Sequence, residues 1–297
     1  MQAEIFSCAN LSEKIIQQVH ACSQNFAKNT GSNPCLAVVL VGNDPASHVY
    51  VKKKSEACAR GGVDVKDFIL PEKTSVAELE ALLQKLNSDK KINGILVQSP
   101  LPKHFDERKI QALIDPAKDV DGFHPQNAGA LFIDTKKCLA EGLPPCTPAG
   151  VMEVFKEKNI SLAGKHAVVI GRSTIVGKPM AFMLLSENAT VTIAHSKTKN
   201  LAQECARADI LVAAIGKSKF VTSDFIKKGA VVIDVGINRV EKNGKWTLAG
   251  DVDASSVAQI AALITPVPKG IGPMTIALLI RNTARAALQQ HKLPLAI

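Results

Sequence analysis

The sequence predicts an α/β protein of two lobes, each of alternating strands and helices, the second a Rossmann-like parallel-sheet dinucleotide domain. Three observations predict it. Short apolar runs such as Cys35–Val41 and Val168–Ile170 alternate with stretches of helical spacing. That alternation marks a parallel sheet with right-handed crossovers, its strands buried on both faces. A Pro-rich connection, Leu143-Pro144-Pro145-Cys146-Thr147-Pro148, interrupts the alternation midway. Beyond it, an apolar run stops at Gly171, a polar turn follows, and Gly177 opens the next helical stretch.

The elements follow in order. Leu11 to about Lys28 has helical spacing, with Leu11, Ile15, Ile16, Val19 and Phe26 on one face. After the strand Cys35–Val41, Asp44 suits an N-cap and Pro45 the first helical position. That helix runs to Arg60, where Gly61-Gly62 ends it. Val63–Leu70 reads as a strand, Val76–Leu86 as a helix, Ile92–Val97 as a strand and Phe105–Ile114 as a short helix. Past the Pro-rich break, Val151–Asn159 continues as a helix. Strands are then expected at His166–Ile170, Thr190–Ala194, Ile210–Ile215 and Val231–Val235, with helices between them. A long amphipathic helix from about Thr275 to Gln290 follows the second lobe, which suggests that it returns to brace the first. The domains are therefore 1–145, completed by 275–297, and 146–274.

Composition narrows the function classes. A chain of 297 residues with 46% hydrophobic and 21% charged residues is ordinary for a globular protein with two cores. The net charge of +9 fits either solubility or an anionic small ligand. Nucleic acid is disfavoured, because the basic residues are scattered and only ten Phe, one Tyr and one Trp are available for stacking. Seven cysteines, with no C-x-x-C pair and no zinc spacing, read as reduced thiols of a cytoplasmic protein. The N-terminus lacks a signal-peptide pattern, and no apolar run reaches the roughly 18 residues of a membrane span.

The stretch Gly171-Arg172-Ser173-Thr174-Ile175-Val176-Gly177 has the layout of a phosphate site. Free N–H groups and a positive dipole end at a helix N-terminus bind pyrophosphate. A purely structural βα turn uses similar residues, so the turn by itself leaves both readings open. The next strand sharpens the matter. An NAD site calls for an acidic residue there, about 20 residues on, to hold the ribose hydroxyls. This strand instead ends in Ala194-His195-Ser196-Lys197-Thr198-Lys199, with no carboxylate. Arg172 and Ser196 together favour NADP, whose 2′-phosphate an acid would repel; the alternative is a solvated polar loop.

The first lobe has no Ser-His-Asp set and no metal motif. Tyr50 and Lys54 lie four apart on one predicted helix and so share a face. Of the consecutive Lys52, Lys53 and Lys54, the last lies in a stripe with Ala46, Tyr50, Ala57 and Cys58, which turns it inward; a solvated lysine cluster is the alternative. Gln98 stands at the carboxyl end of a strand, where α/β sheets bind ligands. Asp119 and Asp121 admit three readings: metal ligands, surface charges or a hydrogen-bonding hook. No third ligand is near, so metal is discounted.

These residues resemble a family, the bifunctional methylenetetrahydrofolate dehydrogenase/methenyltetrahydrofolate cyclohydrolases. The resemblance rests on YVKKK at Tyr50–Lys54, GILVQSPLP at Gly94–Pro102 and KDVDGFHPQNAG at Lys118–Gly129. It continues through PCTPAG at Pro145–Gly150, GRSTIVGKP at Gly171–Pro179, VIDVGIN at Val232–Asn238 and PVPKGIGPMT at Pro266–Thr275. It implies two αβα lobes with an active-site cleft between them, a homodimer with NADP on the second lobe, and tetrahydrofolate derivatives as substrates. It implies oxidation of 5,10-methylenetetrahydrofolate to 5,10-methenyltetrahydrofolate and hydrolysis of the latter to 10-formyltetrahydrofolate. Matched by position, Lys54, Gln98, Tyr50 and Asp121 are the catalytic set. Val97, Pro100, Leu101, Gly272 and Pro273 join them around the substrate. Thr147, Gly171, Arg172, Ser173, Ser196, Ile237 and Thr275 line the cofactor. A dehydrogenase-only member and a non-catalytic NADP-binding protein are the alternatives. One position departs from the pattern: the family's glycine pair after Pro-Val-Pro is here Lys269-Gly270. Strain, contact with the folate tail and plain exposure are all open for Lys269.

Overall fold

The computed structural model describes residues 2–43, 45–242 and 244–295; the side chains of 45–50, 242 and 245 fall outside the described residues, as does Asp44 with its expected cap. The chain opens with β1 (Glu4–Ile5) and α1 (Ala9–Thr30). Alternation follows through β2 (Cys35–Val41), α2 (Pro45–Arg60), β3 (Asp64–Leu70), α3 (Val76–Ser88) and β4 (Gly94–Val97). Four helices come next: α4 (Glu107–Gln111), α5 (Pro125–Ile133), α6 (Thr135–Glu141) and α7 (Cys146–Glu157). The second alternating series is β5 (His166–Ile170), α8 (Gly177–Ser186), β6 (Thr190–Ala194), α9 (Leu201–Cys205), β7 (Ile210–Ala213) and β8 (Val231–Asp234). It closes with β9 (Asn238–Lys242), β10 (Lys245–Ala249), α10 (Ala254–Val257), β11 (Leu263–Ile264) and α11 (Ile271–Gln290).

The chain divides into two compact units. One comprises Met1–Ser12 with Thr147–Thr275, the other Glu13–Cys146 with Ile276–Ile297. The first unit holds an all-parallel sheet of order β6-β5-β7-β8-β11-β1. Strand order changes direction between β5 and β7, and the crevice at the carboxyl ends of such a pair is where open α/β sheets take ligands. Val168, Ile170, Leu211, Ala213, Val232 and Ile264 form its core, each large aliphatic side chain contributing about 1.5–3 kcal/mol by burial. A separate antiparallel hairpin joins β9 and β10.

The second unit holds a parallel sheet of order β3-β2-β4. Central β2 is buried along its whole length, as its unbroken apolar run requires. On one side Leu79, Leu83, Ile92, Ile95, Phe105 and Ile110 pack together. Elsewhere in the unit Cys22 and Phe26 of α1 meet Ala287 and Leu288 of α11.

The structure departs from expectation in several places. The N-terminal twelve residues, expected with the first lobe, belong to the other unit because β1 pairs in parallel with β11, Glu4 opposite Leu263. Neither two-residue strand has a period to read. Helices α5 and α6 lie where the sequence reading assigned no element. Helix α5 carries Asn127 and Gly129, weak helix formers, and is started by the His124 cap with Pro125 at its first position. The final helix begins at Ile271, a turn before the expected Thr275.

Candidate active site and nucleotide site

Helix α2 leaves the sheet directly after central β2. On it Val51, Lys54, Ala57 and Cys58 are buried while Lys52 and Lys53 are exposed, so one lysine of three faces inward. Lys54 keeps only 8% of its surface accessible. Its Nζ donates to Gln98 Oε1 at 2.9 Å. Gln98 sits just past β4 and is fixed from both ends. Its backbone N–H donates to Val39 O at 2.8 Å, and its Nε2 donates to Ser99 O at 2.6 Å, which turns Oε1 toward the amine. The next residues form a loop with a cis Ser99–Pro100 bond. Glu107 ties that loop to the first turn of α4, accepting from Leu101 N at 2.8 Å and Ser99 Oγ at 3.2 Å. Val97 is buried, Leu101 half-buried and Pro100 exposed.

The segment 118–121 divides its work. Lys118 is buried and its Nζ donates to the carbonyls of Leu86, Asn87 and Asp89, closing the end of α3. Asp119 is the hydrogen-bonding hook, accepting from His124 N and Asn127 Nδ2, each at 2.8 Å. Asp121 alone of the three keeps surface open, though the protein around it is dense. Loss of hydration pushes its carboxyl up to about 6, against the pull of the nearby Lys54 charge. Burial likewise lowers the Lys54 ammonium from its ordinary value, with Asp121 acting in the opposite sense. Cys146, beside both, is held well above the usual thiol range by burial. Asn282 of α11 supports this corner: its Nδ2 donates to Val120 O and Pro144 O, both at 2.9 Å, fixing the residues that flank Asp121 and Cys146.

In the other unit, β5 ends at Ile170 and Gly171 adopts φ +129. A Cβ there would collide with the carbonyl oxygen of Ala214, so β5 and the end of β7 approach as closely as only glycine permits. Gly177 is equally tight against the Gly171 carbonyl. Ser173 Oγ accepts from Val176 N at 3.1 Å and Gly177 N at 3.2 Å, organising the amides that open α8. Arg172 and Ser196 are exposed at the ends of β5 and β6, and Ile237 shows 42% of its surface. Thr147 and Thr275 share a hydroxyl hydrogen bond of 2.9 Å. A glycine cradle at a helix N-terminus, an arginine, hydroxyls and no carboxylate at the end of β6 fit a dinucleotide with an extra phosphate.

The structure thus brings Lys54, Gln98 and Asp121 together in one unit and places the residues expected at the cofactor in the other. Tyr50 lies on α2 one turn before Lys54, its side chain outside the described residues. Gly272 and Pro273 occupy the first turn of α11. Among the described residues no cluster of three His, Cys, Asp or Glu could hold a metal. Sequence reasoning passed over Glu107 and Asn282, and two buried carboxylates, Asp234 and Asp251. Burial holds Asp234 up at about 6 despite three backbone N–H donors. An asparagine within the apolar run of α11, and an aspartate closing the apolar run Val231–Ile233, were the available signals.

A chain with one unit built on a Rossmann-like sheet and another built around a buried amine defines a two-domain, nicotinamide-nucleotide-dependent enzyme. The chain belongs to the tetrahydrofolate dehydrogenase/cyclohydrolase family: residues 6–121 match the model of its catalytic domain and residues 145–291 that of its NAD(P)-binding domain. It is 52% identical over 293 residues to the bifunctional protein FolD of Acetivibrio thermocellus, covering 99% of this chain and all of that one. Identity to the corresponding protein of Caldicellulosiruptor saccharolyticus is 55% over 266 residues, covering 90% and 94%. Among solved structures, the Trypanosoma brucei methylenetetrahydrofolate dehydrogenase-cyclohydrolase complexed with NADP cofactor and inhibitor superposes with a TM-score of 0.93. It is 33% identical, with 98% and 99% of the two chains covered.

Proposed function

We propose that Lys54 is the catalytic amine of an NADP-dependent methylenetetrahydrofolate dehydrogenase and methenyltetrahydrofolate cyclohydrolase, an enzyme of one-carbon metabolism. The observation that carries the assignment is the buried ammonium with a neutral amide, Gln98, as its 2.9 Å partner. Burial with an uncharged amide as its hydrogen-bond partner favours the neutral amine, and only the neutral amine can take a proton. A cationic methenyl substrate placed beside it lowers its proton affinity further.

In the hydrolytic step the oxygen of a water molecule bonds to the methenyl carbon, and one water proton passes to Lys54 Nζ. The carbon–nitrogen bond to N5 then breaks. N5 takes the proton from Lys54, and the second water proton leaves to solvent as the formyl carbonyl forms. Gln98 holds the amine in line, Asp121 binds the pterin, and Tyr50 packs on the ring system with Val97, Pro100, Leu101, Gly272 and Pro273 completing the substrate surface. Thr147, Gly171, Arg172, Ser173, Ser196, Ile237 and Thr275 hold NADP, which supplies the hydride acceptor for the oxidative step when bound. The oxidation asks of the protein mainly orientation, because the substrate nitrogen lone pair drives the hydride out.

The folate-binding domain is the unit built on β3-β2-β4 and the NADP-binding domain the unit built on β5. The enzyme is a cytoplasmic homodimer that engages neither nucleic acid nor membrane; no helix among the described residues is long and apolar enough to cross one. Sedimentation at micromolar concentration tests the dimer. The assignment of Lys54 is tested by Lys54→Met assayed with methenyltetrahydrofolate. A cyclohydrolase loss of at least about 100-fold is expected, the scale of general acid–base catalysis. An unaffected rate defeats it.

A further inference from the structure

Two carboxylates deep in the sheet unit belong to none of the roles above. Asp251 is fully buried and Asp234 is 3% exposed. Asp251 Oδ2 accepts from Ile215 N at 2.7 Å and Gly216 N at 3.0 Å. Its Oδ1 accepts from Lys217 N at 2.8 Å and Asn238 Nδ2 at 2.9 Å. Asp234 in turn holds Asp251: its Oδ1 accepts from Gly236 N at 2.9 Å and Asp251 N at 3.0 Å, and its Oδ2 from Val252 N at 3.0 Å. The backbone is shaped around the pair. A Cβ on Gly236 would collide with the Asp251 carboxylate, and one on Gly250 with that of Asp234.

What these carboxylates hold are the turns at the carboxyl ends of β7 and β8. Residues 215–217 leave the carboxyl end of β7 and residues 235–237 that of β8. The first segment follows Ala214, against whose carbonyl Gly171 is pressed; the second ends at exposed Ile237. Three successive N–H groups converging on one carboxylate leave that turn no alternative course. We propose that Asp251 is a positioning residue for the nucleotide cofactor: its carboxylate sets the course of the turns after β7 and β8 against which the cofactor lies. The proposal rests on the reading that NADP occupies this face.

An isosteric change tests it. Each oxygen of Asp251 accepts two donors, so an asparagine in either orientation points its NH₂ at two N–H groups. Asp251→Asn should weaken NADP binding and raise its KM by at least about tenfold, the equivalent of one charge-assisted hydrogen bond. Cyclohydrolase activity on supplied methenyltetrahydrofolate should stay within about twofold, because Lys54, Gln98 and Asp121 lie in the other unit. A folded variant with unchanged NADP affinity, or with both activities reduced equally, overturns the proposal. If Asp251→Asn does not fold, Asn238→Ala decides: removal of one donor should raise the NADP KM about threefold, and no change overturns it. NADP titration of the unaltered enzyme separates the two readings. If that enzyme fails to bind NADP, the nucleotide assignment falls; if it binds and Asp251→Asn binds equally well, only the positioning role does.

Discussion

The Nζ of Lys54 donates to Gln98 Oε1 at 2.9 Å, so its hydrogen-bond partner among the described residues is an uncharged amide. A carboxylate in the same place would lock the ammonium in its charged form. The difference sets the pH dependence of the hydrolytic step. Lys54 titrates below the ordinary lysine value because burial disfavours its charge. Its neutral fraction falls as the pH drops through that lowered value, and the cyclohydrolase rate is expected to fall with it.

Gln98→Glu places a negative charge against the amine, and an opposite charge at that range raises an ammonium pKa by one to three units. The acid limb of the cyclohydrolase pH–rate profile is expected to move to higher pH, with a loss near neutrality of at least about tenfold. Asp121→Asn has the opposite sign, since Asp121 raises the Lys54 value. Its acid limb is expected at lower pH, even where weaker pterin binding reduces the maximum rate. Profiles of kcat for both variants check the pair; a limb that stays in place in Gln98→Glu would remove Lys54 from the base role.

Arg172 and Ser196 stand exposed at the ends of β5 and β6, with no carboxylate at the β6 end. Arg172→Ala should lower kcat/KM for NADP by about tenfold or more, the worth of a hydrogen bond to a charged group, while changing the value for NAD little. Ser196→Asp should reverse the preference by repelling the 2′-phosphate. The ratio of kcat/KM for the two cofactors is the measurement, and equal losses with both would refute the specificity role.

Lys269 adopts φ +78 and is exposed, with its carbonyl accepting from Cys8 N at 2.9 Å. The left-handed conformation costs a residue with a Cβ about 1–2 kcal/mol. Glycine removes that cost but gives back about 0.5–1 kcal/mol through a freer unfolded chain. Relief is the larger effect, so Lys269→Gly should raise the melting temperature by about 2 °C, and Lys269→Ala, which keeps the strain, should not. Calorimetry of the two variants decides it. Of the three readings of Lys269 open from sequence, strain and exposure are both features of the structure.

Asn282 donates twice from the interior of α11, to Val120 O and Pro144 O. Asn282→Leu leaves the buried Pro144 carbonyl unsatisfied, at about 1–3 kcal/mol, and leaves Val120 O with the Cys146 thiol at 3.3 Å as its donor. The expected result is a stability loss of about 1–3 kcal/mol together with a higher folate KM, because the segment bearing Asp121 is no longer pinned. Denaturant unfolding and steady-state kinetics check both; unchanged stability would show that the pair of bonds is dispensable.

Much of this arrangement was legible in the chain. Unbroken apolar runs gave away β2, β5 and β7, and the glycine turn marked the crevice end of β5. The inward stripe of α2 singled out Lys54 from its two neighbours, because a helix turns each successive residue by about 100°. The segment at 118–121 was only partly legible. Lys118, Asp119 and Asp121 look alike as charges, yet one closes α3, one hooks α5 and one remains open. Helix α5 was lost because Asn127 and Gly129 make its propensity weak, and strands β1 and β11 because two residues show no period and are held by pairing with strands distant in sequence.

By itself the sequence determined the alternation of strands and helices, the phosphate-type turn, and the family to which its motifs belong. These are local properties, carried by periodicity and by residues within a few positions of each other. Tertiary structure alone decided which polar groups are buried and who their partners are. Lys54 meets Gln98 across 44 positions, Asn282 meets Val120 across 162, and Asp251 gathers donors up to 36 residues away. Proton affinity and loop course follow from those encounters, since desolvation and hydrogen bonding act through space rather than along the chain.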